Sequence, residues 1–62
     1  MFKILFYKVN NDDIESKPFD ALEASIYPHK GDIVIIKKET YYVQVVEIDY
    51  DNNVIKIFVT TI

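Results

Sequence analysis

The second half of this chain, DIVIIKKETYYVQVVEIDYDNNVIKIFVTTI from Asp32 to Ile62, alternates β-branched and aromatic residues with period two and breaks only at polar clusters. Val, Ile, Tyr, Phe and Thr suit a pleated, half-buried surface, so the segment reads as three antiparallel strands joined by two tight hairpins. The second hairpin has Asn52 and Asn53 where a two-residue turn needs positive φ, which Asn tolerates. That turn sets Ile48 opposite Ile57, Val46 opposite Val59 and Tyr50 opposite Ile55, all apolar pairs. On the reverse face it sets Asp49 against Lys56, an opposite-charge pair of about 0.2–1 kcal/mol.

The first hairpin is less defined, because Lys37-Lys38-Glu39-Thr40 holds neither Gly nor Asn. Parity still constrains it: Ile33 and Ile35 share a face with Tyr42, Gln44, Val46 and Ile48. Val34, Ile36, Tyr41, Val43, Val45, Phe58 and Ile62 then occupy the other face. An isolated antiparallel sheet usually keeps one wet face, whereas here both are substantially apolar. Something has to cover the second face, either the N-terminal hairpin or another chain.

A chain of 62 residues is a single domain. One this short buries only about 60% of the surface its unfolded form exposes, so self-association is a natural source of further burial. The chain has no cysteine, which agrees with a reducing, cytoplasmic setting and leaves no disulfide framework. Half of it is hydrophobic, too apolar for a disordered tail, yet no apolar run approaches the ~20 residues of a membrane helix. The start, Met1-Phe2-Lys3, passes at once into strand-like residues without the apolar stretch of a secretory signal.

Residues 2–9, FKILFYKV, read as a first strand apolar on both sides, and Asn10-Asn11-Asp12-Asp13 as a strong turn. Residues 14–19 read as a short second strand, with Pro18 confining its end to an edge. Asp20-Ala21-Leu22-Glu23 has capping-box spacing, so one helical turn near residues 20–26 competes with a continued strand. Pro28 and the single glycine, Gly31, then mark a β-turn. The expectation is a mainly β domain, a small antiparallel sheet of about five strands made from an N-terminal hairpin and a C-terminal three-strand meander.

Pro28-x-x-Gly31-Asp32-x-Val34, followed by the Tyr42 to Val46 strand and an acidic, Asn-containing hairpin, resembles small SH3-like, partly open β-barrel domains. There a Gly-Asp pair opens a strand that runs into a hairpin. The pattern is also similar to short proteins of phages and their bacterial hosts that carry a Gly-Asp-initiated meander behind an N-terminal hairpin. Such a resemblance implies an interaction module and not a chemistry. The absence of Trp departs from the aromatic grooves with which SH3 domains bind proline-rich ligands.

Little in the chain suggests catalysis. His29 is the only histidine and lies in a turn beside Lys30, with no elbow or Gly-rich loop to orient a nucleophile. Asp12 with Asp13, and Asp49-x-Asp51-x-Asn53, read as turn chemistry, since a calcium loop needs more oxygen ligands and usually a Gly at its bend. No metal or cofactor is expected. Nucleic-acid binding is disfavoured because the net charge is −3, Arg is absent and only Lys37 and Lys38 adjoin.

The aromatic residues carry the sharper expectation. Tyr41 on the second face with Val43, Val45, Phe58, Val34 and Ile36 is the candidate interface. The leading reading is a non-enzymatic protein-binding module that self-associates, with a homodimer favoured and inhibition of a host protein by a phage-type protein as its specific form. The alternatives are an oligomer that encloses a small ligand between tyrosines and lysines, a structural component of a larger assembly, and a nucleic-acid-binding barrel.

Overall fold

The structure, a computed structural model, describes residues 1–10 and 13–62. It is all β, with six strands among the described residues: β1 (Phe2–Asn10), β2 (Asp13–Ile14), β3 (Asp20–Ala24), β4 (Ile33–Ile36), β5 (Glu39–Asp49) and β6 (Val54–Thr61). They form one open mixed sheet in the order β2-β1-β6-β5-β4, with β3 paired to the same side of β1 as β2. The C-terminal meander is present as expected. The N-terminal strand joins it edge to edge, because β1 pairs in parallel with β6 from Lys3↔Val54 to Lys8↔Val59.

The region from 13 to 24 is one interrupted strand. Val9 pairs with Ile14 and Phe6 with Asp20, so three steps along β1 are matched by six on the returning chain. The extra residues, including Pro18, loop out, while the Glu15 N–H still donates to the Lys8 carbonyl at 3.1 Å and the Phe19 N–H to that of Phe6 at 2.9 Å. Residues 20–24 are strand and not helix. The Asp20 carboxylate accepts from the Ala21 N–H at 2.9 Å, satisfying a local donor without starting a helical turn. Asn11 and Asp12 of the expected first turn lie outside the described residues.

The turn before β4 spans residues 29–32, so it holds Gly31 while Pro28 lies just before it. The Asp32 N–H donates to the His29 carbonyl at 3.0 Å, the His29 N–H donates to the Asp32 carboxylate at 2.8 Å, and Gly31 sits at the third position with φ +95°. That φ suits glycine at the third position of a type II turn.

Lys37 and Lys38 are the two-residue turn between β4 and β5, closed by the Ile36↔Glu39 pair. Both have positive φ, 51° and 70°, the backbone of a turn usually built from Asn and Gly. Each L-residue held there costs about 1–2 kcal/mol.

The β5–β6 connection differs from the expected two-residue turn. Asp49 pairs with Val54, so residues 50–53 form a four-residue loop and only Asn53 has positive φ. The Asp49 carboxylate organises it, accepting from the N–H groups of Asp51 (3.0 Å) and Asn52 (3.1 Å) and from the Asn52 side-chain amide (2.9 Å). This side-chain cap outcompetes the Asn-Asn turn because one carboxylate satisfies three donors. The register therefore moves by two, to Ile48↔Ile55, Val46↔Ile57 and Glu47↔Lys56, which leaves each residue on its expected face. Tyr50 leaves the ladder for the loop and is exposed. Asn53 also ties the loop to β1, its amide donating to the Met1 carbonyl at 2.8 Å.

A second shift does change faces. Val43 pairs with Val59 but Val45 pairs with Phe58, so Gln44 is an extra residue in β5. Tyr41 and Val43 before this bulge, and Val46 and Ile48 after it, all turn toward the core. Without it, Tyr41 and Val43 would lie with Glu47 on the opposite side. Burying a side chain of that size is worth about 1.5–3 kcal/mol, which outweighs one unpaired ladder position.

The core is one cluster of Ile4, Phe6, Ile36, Tyr41, Val43, Ile55, Ile57 and Val59. Phe19 and Tyr27 cover its margin from the segments on either side of β3. The Phe19 ring lies 6.5 Å from Phe6 and 5.3 Å from Tyr41, and Tyr27 meets Phe2 edge-on at 6.3 Å.

Both turns generate tests. Lys37→Asn combined with Lys38→Gly should raise the denaturant midpoint, by roughly 1–2 kcal/mol of stability; no gain would mean that these lysines relax into another turn. The Asn52 side chain and then its backbone N–H hold the Asp49 carboxyl below the ordinary aspartate value. The resulting stabilisation is full above that ordinary value and is lost as pH falls through the lowered one in the folded state. A carbon-detected titration should therefore find Asp49 low in the native chain and higher in Asn52→Ala.

Candidate interaction surface

The face of the sheet away from the core divides into two halves. Toward one end it is charged, with Lys3 opposite Glu23 and Lys56 opposite Glu47. Toward the other it is apolar. Tyr7, Phe58 and Val45 follow one another across β1, β6 and β5; beyond them lie Val9 paired with Ile14, and Tyr42 paired with Ile33. Ile35, opposite Thr40, ends the row at the sheet edge.

These positions share a face because strand residues alternate sides and the Gln44 bulge sets the phase on β5. The rings of Tyr7 and Phe58 stack with centroids 5.3 Å apart, and the Lys56 ammonium sits 5.9 Å from the Tyr7 ring. Around that pair, Val45 is 52% exposed, Ile33 56% and Ile35 74%, with Tyr42 and Ile14 also open to solvent. A run of large apolar side chains with aromatic residues inside it is the composition of a protein-binding surface.

The candidates read from the sequence do not stay together. Val45 and Phe58 lie on this outer face, whereas Tyr41 (4% exposed), Val43 and Ile36 are buried in the core and Val34 packs partly against it. The separation is a correction of the parity argument, and the bulge at Gln44 is its cause. Exposed Ile33, Ile35 and Tyr42 and half-buried Tyr7 also lie on this outer face, although they are not among the candidates read from the sequence. A usable signal existed: apolar residues at 41, 43, 46 and 48 with polar Gln44 and Glu47 between them have a two-three-two spacing, the mark of one inserted residue.

Among the described residues, the others singled out from the sequence sit in or beside turns and loops. The His29 ring packs at 5.3 Å from Tyr27 in its turn, and Asp49 and Asp51 serve the β5–β6 loop. Lys8, on the core side, lies 4.9 Å from the Phe19 ring and caps the open end of the core. Among the described residues no three His, Cys, Asp or Glu side chains gather as metal ligands, and no helix is long and apolar enough to cross a membrane.

The two faces make a sharp test of the bulge. Val43→Asp should unfold the domain, because it buries an unpaired carboxylate. Val45→Asp, two residues on, should keep stability within about 1 kcal/mol; equal damage from both would place both valines on one face. Compared with known proteins, the chain matches no family model, no curated protein and no solved structure.

Proposed function

We propose that this chain is a non-enzymatic protein-binding module that docks a partner protein on the apolar half of its outer face and self-associates. The observation that carries this reading is the apolar row in which half-buried Tyr7 and Phe58 adjoin exposed Val45, Tyr42, Ile33 and Ile35. On a domain of this size, leaving so many large apolar side chains in water forgoes stabilisation of about 25 cal/mol per Å². A partner surface recovers it. Tyr7 and Phe58 form the rigid anchor, with few rotors to freeze on binding, and Lys3, Lys56 and Glu47 supply a polar rim that fixes orientation. Inhibition of a host protein by a phage-type protein is the specific form of this reading, since blocking a target requires a surface and no chemistry of its own.

Affinity capture with the native chain and with Val45→Glu as baits tests the proposal. A partner held by the native chain should be lost from Val45→Glu at least tenfold while both baits show the same circular dichroism and thermal midpoint. Equal capture by both would remove the outer face as the docking surface.

A further inference from the structure

The two edges of the sheet are built differently. On one side, β3 carries Asp20 and Glu23, follows Pro18, and has Asp13 and Glu15 beside it on the interrupted strand. Charges and proline of this kind discourage an edge from pairing with a further strand. The other edge is β4, Ile33-Val34-Ile35-Ile36, four β-branched residues with no charge and no proline.

The backbone of β4 shows which groups are free. The Val43 N–H donates to the Asp32 carbonyl at 2.9 Å, and Ile36 closes the two-residue turn with Glu39. Even-numbered residues of this strand therefore direct their N–H and C=O toward β5, and Ile33 and Ile35 direct theirs away from it. Among the described residues nothing pairs with that side of β4. The same two isoleucines also have the exposed side chains, so backbone donors, backbone acceptors and apolar surface are all open along one short edge.

From this edge we propose that a second copy of the chain pairs with β4 in antiparallel fashion, with Val34 on the two-fold axis. The inference rests on the self-association in the reading above and names its site. Ile33 of each copy then exchanges two backbone hydrogen bonds with Ile35 of the other, and the two Val34 residues face each other as a non-hydrogen-bonded pair. A pairing in odd register would set outward-directed groups against inward-directed ones, so the hydrogen-bond pattern permits only even registers.

Charge favours the antiparallel direction. The strand is preceded by Asp32 and followed by Lys37 and Lys38, so reversing one copy brings each Asp32 next to the lysine turn of the other. A parallel arrangement would stack like charges at both ends. The two positive-φ lysines hold their turn immediately beside the edge, where the chain leaves the plane and limits the pairing to four residues. An interface of that length falls short of the ~1,200 Å² of stable complexes, so the dimer is reversible and concentration-dependent. Its consequence for function is geometric: the apolar halves of two outer faces join through Ile33 and Ile35 into one two-fold stripe.

The test is sedimentation of the native chain, Ile35→Pro and Val45→Glu over a wide concentration range. Proline at 35 removes an N–H that β5 does not use, so the fold should persist while dimerisation weakens at least tenfold. Val45→Glu should dimerise as the native chain does, which separates this pairing from partner capture on the outer face. Val34→Cys should form an intermolecular disulfide on mild oxidation, since a non-hydrogen-bonded pair brings the Cα atoms to about 4.5 Å and the chain has no other cysteine. Three results overturn the proposal: a native chain that stays monomeric at millimolar concentration, an Ile35→Pro chain that dimerises unchanged, or growth past the dimer, which would mean head-to-tail pairing of β4 with β3. Outer-face docking would survive any of them if Val45→Glu still loses its partner.

Discussion

Parallel pairing of β1 with β6 is the constraint on which the rest of the structure depends. It places Ile4 and Phe6 beside Ile55 and Ile57 at the centre of the sheet and so assembles most of the core from two strands. With β1 in that position, β3 and β2 have one edge on which to pair, and β4 is left as the other. The Asn53 amide on the Met1 carbonyl and the Lys3 N–H on the Asn53 carbonyl hold the two strands in register where they begin. Hydrogen bonding at that corner is local, yet it fixes which residues meet across the whole ladder, because a one-residue slip would turn every side chain to the wrong face.

The Gln44 bulge then settles a conflict that a regular strand could not. β5 is apolar on both sides, and a single phase would leave Tyr41 and Val43 outside or Val46 and Ile48 outside. One inserted residue turns all four to the core side, where Tyr41 and Val43 are buried and Val46 and Ile48 pack partly buried against them, and it leaves Val45 as the valine of β5 that faces solvent. The apolar half of the outer face is what remains after the core has taken the larger share. Its position, running out to an unprotected edge, follows from the placement of β4 beside the bulged part of β5.

Much of the fold was legible because its signals are local. The three C-terminal strands, the Lys37-Lys38 region as a turn and the apolar character of both faces can be read from period-two patterning and polar breaks. The exact loop at residues 50–53 was not, since it depends on competition between an Asn-Asn turn and an Asp49 cap, and only the geometry of three donors around one carboxylate decides it. The parallel β1–β6 pair was also out of reach, because nothing in either strand marks its neighbour. Of the candidates for the site, Val45 and Phe58 share the outer face, while Tyr41, Val43 and Ile36 lie on the core side. The cause is the same apolar ambiguity of β5: with both phases hydrophobic, only the polar Gln44 and Glu47, three residues apart, mark where the phase changes.

The joining of β1 to β6 also sets an order of events during synthesis. β1 leaves the ribosome well before β6 and has no place in the sheet centre until β6 has followed it. Until then FKILFYKV can pair only with β2 and β3, and its Leu5, Tyr7 and Val9 side has no neighbouring strand. Contacts between segments so distant along the chain close slowly, and an apolar strand kept waiting is open to pairing with other nascent chains. The native sheet is thus completed only after translation has passed β6, and the protein is exposed to misassembly in proportion to the time its first strand spends unpartnered.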